Sequence, residues 1–269
     1  MFKKIFLFLL FIILFFLTSS TKNLSLSTTS STLEDEFLKS ISQYKSFNPE
    51  MIDLYYQEYL LNHNLVLSLN KINVPDFFNR QNMFPSFTFE GGPFVNKNYY
   101  LTKNFIPDDL VPVTISKVNR KNEVMLINKT ALTYAKLLFE DAKKEGMNLV
   151  VFSAYRSYIK QENLYQQANN KNYVAKAGFS EHQTGLAIDI ATLDTGLTSY
   201  FEKTREYEYL TTHAHLFGFI KRYPKDKNTI TKYPYEAWHY RFVGPELAKI
   251  IYEHNMTLEE YIYTYVALN

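Results

Sequence analysis

The chain has 269 residues, of which 46% are hydrophobic and 17% aromatic, so it carries enough apolar material for a sizeable domain core. Its net charge is only +2, so it lacks the basic excess that is typical of nucleic-acid binding. It contains no cysteine, which excludes disulfides, thiolate metal sites and cysteine nucleophiles.

The N-terminus has the composition of an export signal. Lys3 and Lys4 precede an apolar run from Ile5 to Leu17, which is shorter than the roughly 20 residues of a spanning helix. We therefore expect residues 1–17 to be a signal peptide, or an uncleaved anchor that tethers the protein to the membrane. In both cases the protein acts outside the cytoplasm, either secreted or anchored to the cell membrane by its N-terminus.

The next part of the chain has weak patterning. Residues 18–32 are mostly Ser and Thr, a composition that predicts an exposed linker. Residues 33–97 are predicted to be a helical and irregular region. A helical pattern runs from Leu33 to about Leu69, with Pro49 where a first helical turn tolerates it, and a stretch rich in proline, glycine and aromatic residues follows. We assign no chemistry to this region.

From Thr130 onward the chain alternates between helical and strand patterns. Helices are predicted at 130–145, 157–165 and 206–217, and strands at 149–152, 185–191 and 238–243. Two further helices are predicted near the C-terminus, one that begins at Pro245 and one with a capping box from Thr257 to Glu260. The pattern predicts an α+β fold with a small, mainly antiparallel sheet flanked by helices.

The stretch SAYRSYIKQ, Ser153 to Gln161, joins a predicted strand to a predicted helix. Arg156 lies at the junction, where its guanidinium group could project into a cleft and bind a carboxylate through two hydrogen bonds. Taken alone, a surface salt bridge explains Arg156 better. Gln161 follows about one helical turn later.

The stretch SEHQTGLAID, Ser180 to Asp189, places a histidine before an apolar strand that contains a carboxylate. A buried carboxylate without a partner is costly, so Asp189 needs a positively charged neighbour or a metal ion. The alanines beside Asp189 leave room for an ion or a substrate. One interpretation is that His182 and Asp189 bind the same metal ion, and the other is a buried strand with a polar entry loop.

The stretch YEAWHYRF, Tyr235 to Phe242, offers a third ligand. His239 lies on a predicted strand, and Glu236 precedes it by one short turn. A metal ligand with a neighbouring general base is the arrangement that metal-assisted hydrolysis needs. Taken alone, a single histidine on a strand such as His239 is more often structural. Two other histidines, His213 and His215, lie two residues apart on a predicted helix, so they do not face one ion.

Together these three stretches closely resemble the VanY-like D-alanyl-D-alanine carboxypeptidases. These are zinc peptidases of bacterial cell walls that share a fold with the D-Ala-D-Ala dipeptidases and the hedgehog N-terminal domain. The stretches FGFIKRYP and MTLEEYI also look like the family. The resemblance covers residues 98–269 and implies that this part of the chain is the zinc carboxypeptidase domain. Ala237 departs from the family pattern, which usually has proline there.

The resemblance implies a role for each matching residue. Zinc would be bound by His182, Asp189 and His239, and Glu236 would be the general base and then the acid. Arg156 would hold the terminal carboxylate of the substrate. Additional substrate hydrogen bonds would come from Gln161, Ser180 and Tyr223, with Trp238 packing beside the site.

The activity implied by the resemblance is removal of a C-terminal D-alanine from peptidoglycan stem peptides by a zinc-dependent carboxypeptidase. The motifs leave D,D- and L,D-specificity open, since that choice depends on pocket shape. Two alternatives are an endopeptidase of the same fold and a catalytically silent cell-wall-binding domain. Glu236 disfavours the silent domain, because such a domain has no need of a base beside the metal. We expect a monomer with no nucleic-acid partner.

Overall fold

The computed structural model describes residues 24–43, 47–63, 65, 68–69, 72, 83–121 and 123–266. The chain separates into two compact units, residues 1–77 and 78–269. The predicted signal peptide or anchor, residues 1–17, lies outside the described residues. Within the described ranges, none of the helices has the length and apolar character needed to cross a bilayer.

The first unit is helical in its described residues. Its elements are α1 (Leu24–Ile41), a 3-10 turn (Pro49–Met51) and α2 (Ile52–Asn62). Helix α1 begins within the predicted linker, residues 18–32. The predicted helical stretch from Leu33 to about Leu69 is divided into two helices, and Pro49 opens the turn before the second, as expected for a first helical turn. Asn48 caps the turn at Pro49, which explains the division. A small apolar cluster around Phe37, Ile41 and Tyr55 holds this unit together.

The second unit is built on a four-stranded antiparallel sheet, which confirms the predicted fold class. Its strands are β7 (Val150–Ser153), β8 (Ala187–Ala191), β9 (Phe219–Lys221) and β10 (His239–Phe242), in the order β7-β8-β10-β9. Six short strands precede the sheet and form two-stranded pairs: β1 (Phe84–Pro85) with β4 (Tyr99–Tyr100), β2 (Thr88–Phe89) with β3 (Gly92–Pro93), and β5 (Leu110–Pro112) with β6 (Leu126–Asn128). Strand β9 was not predicted, because three residues are too few to show a period.

Helices flank the sheet and bury apolar faces. The helices are α3 (Lys129–Lys144), α4 (Tyr158–Gln167), α5 (Arg205–His213), α6 (Asn228–Thr231), α7 (Pro245–Glu253) and α8 (Leu258–Tyr265). Helix α3 starts at an Asn128 cap and buries the predicted stripe that includes Leu132, Ala135 and Leu138 in the main core. Helix α8 carries the predicted capping box between Thr257 and Glu260.

A second apolar core joins the C-terminal helices to the short strands. Phe94 and Tyr99 pack there with Leu247, Ile251 and Ile262. The short strands therefore belong to the second unit, although the predicted functional domain began only at residue 98. The domain limits drawn from the sequence stay a prediction.

Candidate active site

The pairing of two strands places Asp189 beside His239. Strands β8 and β10 are antiparallel, and Asp189 is directly opposite His239. On the other side of β8, Ser153 of β7 is the partner of Asp189. Asp189 therefore lies at the centre of the sheet and is only 4% exposed. Its position on the strand agrees with the prediction.

A tight turn brings His182 to the same place. Residues Glu181–Thr184 form a 3-10 turn that ends at Gly185, whose φ of 71° favours glycine. A Cβ at Gly185 would also lie 2.8 Å from the end of the Leu110 side chain, which would have to shift. The strand therefore starts at Ala187 instead of the predicted residue 185.

Hydrogen bonds fix which ring nitrogen of each histidine is free to bind a metal. Nδ1 of His182 is 2.6 Å from the carbonyl oxygen of Ala154. Because a carbonyl oxygen only accepts, Nδ1 carries the proton and Nε2 faces Oδ2 of Asp189 at 3.2 Å. For His239, Nδ1 lies 3.1 Å from Oδ1 of Asp189, and Nε2 faces Glu181.

The three side chains fit a metal ion. One ligand atom from each of His182, Asp189 and His239 lies within 4.8 Å of the others, and all three residues are buried. Two imidazoles and a carboxylate form a donor set that suits zinc, and three protein ligands leave the open position of a catalytic site. The structure thus brings together the three ligands implied by the sequence.

The electrostatics of the ligands depend on their mutual contacts. Burial alone would raise the pKa of Asp189, but the neighbouring His182 and His239 hold it well below its usual range. Burial lowers the pKa of His182. Burial would also lower the pKa of His239, but hydrogen bonds to Asp189 and Glu181 raise it to about 9. In the metal-free protein, His239 thus keeps a proton at neutral pH that a metal ion must displace.

Glu236 lies next to the ligand group without being part of it. Its Oε2 is 3.7 Å from Nδ1 of His239, and its backbone N–H donates to the carbonyl of Tyr223. Burial raises the pKa of Glu236 to about 7, although the charge of His239 opposes the shift. A carboxyl group with a pKa near neutrality can both accept and return a proton, so the geometry suits a general base.

Arg156 lies on the same wall of the pocket. Its backbone N–H donates to the carbonyl of His182, which fixes the loop between β7 and α4 to the 3-10 turn that carries His182. Its guanidinium donates to Gln161 Oε1 at 2.7 Å and to Ser153 Oγ at 3.0 Å, and lies 3.9 Å from Asp189 Oδ2. Arg156 is therefore held by neighbours inside the pocket, and the alternative of a surface salt bridge is wrong.

The remaining predicted site residues also line this pocket. Gln161 uses its amide within the protein, since it accepts from Arg156 and donates to the carbonyl of Ala175. Ser180 precedes the 3-10 turn without a side-chain capping bond. The ring of Tyr223 lies 4.9 Å from that of His239, and burial raises its pKa. Trp238 packs against the main core beside the site.

Sequence reasoning missed Glu181, which is buried behind His239 together with Arg222 and Arg241. The sequence did contain a signal for such a carboxylate. Arg241 is two residues after His239 on a buried strand, so it lies on the same face, and a buried arginine requires a partner of opposite charge.

The competing histidines lie apart from the ligand group. His213 stacks on Tyr209 and His215 on Tyr252, so neither is among the metal-ligand candidates in the described residues.

Comparisons with known proteins point to one family. Residues 124–245 match the family model described as VanY: D-alanyl-D-alanine carboxypeptidase. A relative from Bacillus subtilis (strain 168), the putative carboxypeptidase YodJ, is 42% identical over 177 residues, which cover 62% of this chain and 65% of the relative. The chain thus spans just under two thirds of that protein.

Two further comparisons cover most of the other protein. The bifunctional D-Ala-D-Ala dipeptidase and carboxypeptidase VanXYC of Enterococcus gallinarum is 33% identical, over 62% of this chain and 90% of the relative. The solved structure of the LdcB LD-carboxypeptidase is 41% identical with a TM-score of 0.59, over 63% of this chain and 84% of that one.

Proposed function

This chain belongs to the VanY family of D-alanyl-D-alanine carboxypeptidases, and from that premise we propose that it is a zinc-dependent carboxypeptidase that removes a C-terminal D-alanine from peptidoglycan stem peptides. One observation carries the proposal. The ligand group of His182, Asp189 and His239 shares a pocket with Glu236, a carboxyl group with a pKa near neutrality, and with the partly buried Arg156.

The ligand group would hold the zinc ion. The chemistry that zinc supplies in such a site is that of a Lewis acid, which lowers the pKa of water and polarises a carbonyl group. Asp189 is suited to the role because the pKa of its carboxyl group lies well below the usual range. His182 is suited because its proton is fixed on Nδ1 by the Ala154 carbonyl.

Glu236 would handle the proton. Its carboxylate takes a proton from the attacking water as the water oxygen bonds to the peptide carbonyl carbon. The same proton then passes to the amide nitrogen as the C–N bond breaks, so that D-alanine leaves as a free amine. The pKa near 7 lets one group serve both steps at neutral pH.

Arg156 would bind the terminal carboxylate of the peptide. The contacts of its guanidinium with Gln161 and Ser153 hold it in one orientation before substrate arrives, which reduces the entropy lost on binding. Ser180 and Tyr223 line the same pocket and would add hydrogen bonds to the peptide. A bound terminal carboxylate favours an exopeptidase, because an internal peptide bond presents none.

Assembled peptidoglycan lies outside the cytoplasm, so we expect the protein to act there. The apolar run at residues 1–17 would serve as its export signal or membrane anchor. Both D-Ala-D-Ala and LD-carboxypeptidases occur among the similar proteins, so the specificity is a question for the experiment.

The proposal is tested by mass spectrometry on the purified, zinc-loaded chain, with Glu236→Gln as the control. Release of D-alanine from a muramyl pentapeptide alone would establish a D,D-carboxypeptidase, and release from the tetrapeptide an L,D-carboxypeptidase. Cleavage of a C-terminally amidated peptide at the same rate would instead establish an endopeptidase. No cleavage of any peptide by a protein that binds one zinc ion would leave the wall-binding alternative.

A further inference from the structure

Next to His239 lies a group of four buried charged residues that the catalytic proposal does not use. We call it the sealed cluster: Glu181, Arg222, Arg241 and Glu259, each at most 1% exposed. Arg222 Nε donates to Glu181 Oε1 at 2.7 Å, and Arg241 Nη1 donates to the same oxygen at 3.1 Å. The other end of Arg222 forms two hydrogen bonds with Glu259, at 2.6 and 2.7 Å.

The two oxygens of Glu181 have different tasks. Oε1 receives both arginines, whereas Oε2 faces Nε2 of His239 at 3.4 Å. Three further donors of Arg241 bond to the backbone carbonyls of Phe242, Gly91 and Pro93. Oε2 of Glu181 is therefore directed at the histidine while the arginines hold the rest of the carboxylate in place.

Stability alone does not account for this arrangement. A buried ion network is often no more stable than apolar residues of the same size, because desolvation cancels most of the attraction. The contact with His239 supplies a different reason. A carboxylate only accepts, so Glu181 requires a proton on Nε2. Nδ1, which contacts Asp189 Oδ1 at 3.1 Å in the metal-free protein, is then the nitrogen whose lone pair a metal ion beside Asp189 would use.

We propose that Glu181 is a positioning residue that fixes the tautomer and orientation of His239 for metal binding, with Arg222 and Arg241 orienting Glu181. The inference rests on the proposed metal site. Glu181 directly precedes His182 in the same 3-10 turn. This turn would therefore position two of the three ligands: it carries His182 itself, and the carboxylate of Glu181 orients His239.

Glu181→Gln tests this role sharply. The carbonyl oxygen of the new amide would face the two arginines, which can only donate, so its NH2 group would face His239 Nε2. That nitrogen would then have to accept, and the ring proton would move to Nδ1, the atom needed by the metal. Glu259→Gln is the matched control. It also neutralises a buried carboxylate that pairs with Arg222, but Glu259 has no hydrogen bond to His239 among those of the described residues.

Zinc affinity of the purified full chain and both variants is measured by competition with a chromogenic chelator. We expect Glu181→Gln to weaken zinc binding about 10–100-fold, the range found when outer partners of ligating histidines are removed. Glu259→Gln should keep the wild-type affinity. Equal losses in the two variants would overturn the inference, whereas a wild-type chain that binds no zinc would overturn the proposed function itself.

A second measurement on the wild-type chain decides the matter even where Glu181→Gln does not fold. Nitrogen-15 NMR of the zinc-loaded protein reports which imidazole nitrogen carries a proton. We expect the proton of His239 on Nε2 and that of His182 on Nδ1, where the Ala154 carbonyl accepts it. A proton on Nδ1 of His239 would contradict the role of Glu181.

Discussion

Two clusters of charged residues contact His239. In one, the charged groups are bonded to one another, and in the other they line a cavity. In the sealed cluster, two arginines face two carboxylates, and hydrogen bonds use the groups on both sides. The second cluster, which we call the pocket cluster, consists of Arg156, His182, Asp189 and Glu236. It opens into a cavity and directs ligand atoms of His182 and Asp189 toward one point.

The pKa values follow this difference. In the sealed cluster, Arg222 and Arg241 hold the pKa of Glu181 well below its usual range, although burial opposes them. In the pocket cluster, burial raises the pKa of Glu236 to about 7, where it can exchange a proton. Buried charge by itself therefore does not mark a catalytic site. A catalytic site needs polar groups that face a cavity and can still bind a ligand, and one group whose pKa lies near the working pH.

The largest expected effect comes from removing the proton carrier of the pocket cluster. Glu236→Gln should lower kcat for D-alanine release about 1,000-fold, within the range for loss of a general base. The zinc stoichiometry should stay at the wild-type value, since Glu236 is not a ligand. The exposed Glu253→Gln is the control. More than a tenth of wild-type activity in Glu236→Gln would contradict the assignment.

The sealed cluster should fail by a different route. Arg222→Met leaves Glu181 and Glu259 buried without their shared partner, which should lower the free energy of unfolding by about 3–5 kcal/mol. Urea denaturation of the metal-free chain measures this loss. Lys225→Met removes an exposed lysine that pairs with Glu202 and should change stability little. Similar urea midpoints for the two variants would refute the prediction.

A smaller effect tests the substrate side of the pocket cluster. Arg156→Lys keeps the charge but loses the planar pair of donors, which should reduce kcat/KM about 30-fold for a peptide with a free C-terminus. Cleavage of an amidated peptide, already slow, should not change further. Steady-state kinetics on both peptides provide the measurement, with the exposed Arg120→Lys as the control. Equal losses on both peptides would place Arg156 elsewhere in the reaction.

The smallest expected effect concerns the stability of the metal-free chain. The pKa of Glu236 is about 7 in the folded protein against an ordinary value of 4.5, so the folded state holds this proton longer than the unfolded state. Ionisation of Glu236 therefore destabilises the fold as pH rises from about 4.5 to 7. Glu236→Gln should be more stable than wild type by about 2 kcal/mol at pH 8.

At pH 4 that advantage should vanish, because Glu236 is then protonated in both states. Thermal or urea unfolding of the metal-free proteins at the two pH values tests the sign. An advantage for Glu236→Gln that is larger at pH 4 than at pH 8 would show that the carboxylate is stabilised in the fold, and would place it with the sealed cluster.

Much of the pocket cluster could be predicted from the sequence. His182, Asp189 and His239 stand in short motifs whose residue types match the needs of a metal ion, and the alternation of His239 with Arg241 predicted their common side of a strand. The capping box at Thr257 and the apolar stripe of α3 were equally readable. The motifs, the capping box and the apolar stripe each involve residues close together in the chain, so their spacing in the sequence is enough to predict them.

The sealed cluster, by contrast, was decided by tertiary structure alone. Its contacts join Glu181 to Arg241 across 60 residues and Arg241 to Gly91 across 150, and no local period carries such information. The sequence by itself determined which groups could bind a metal ion and move a proton. Only strand register and packing decided which carboxylate faces the pocket and which is enclosed by arginines, because the free energy of a buried charge depends on partners that are distant in the chain.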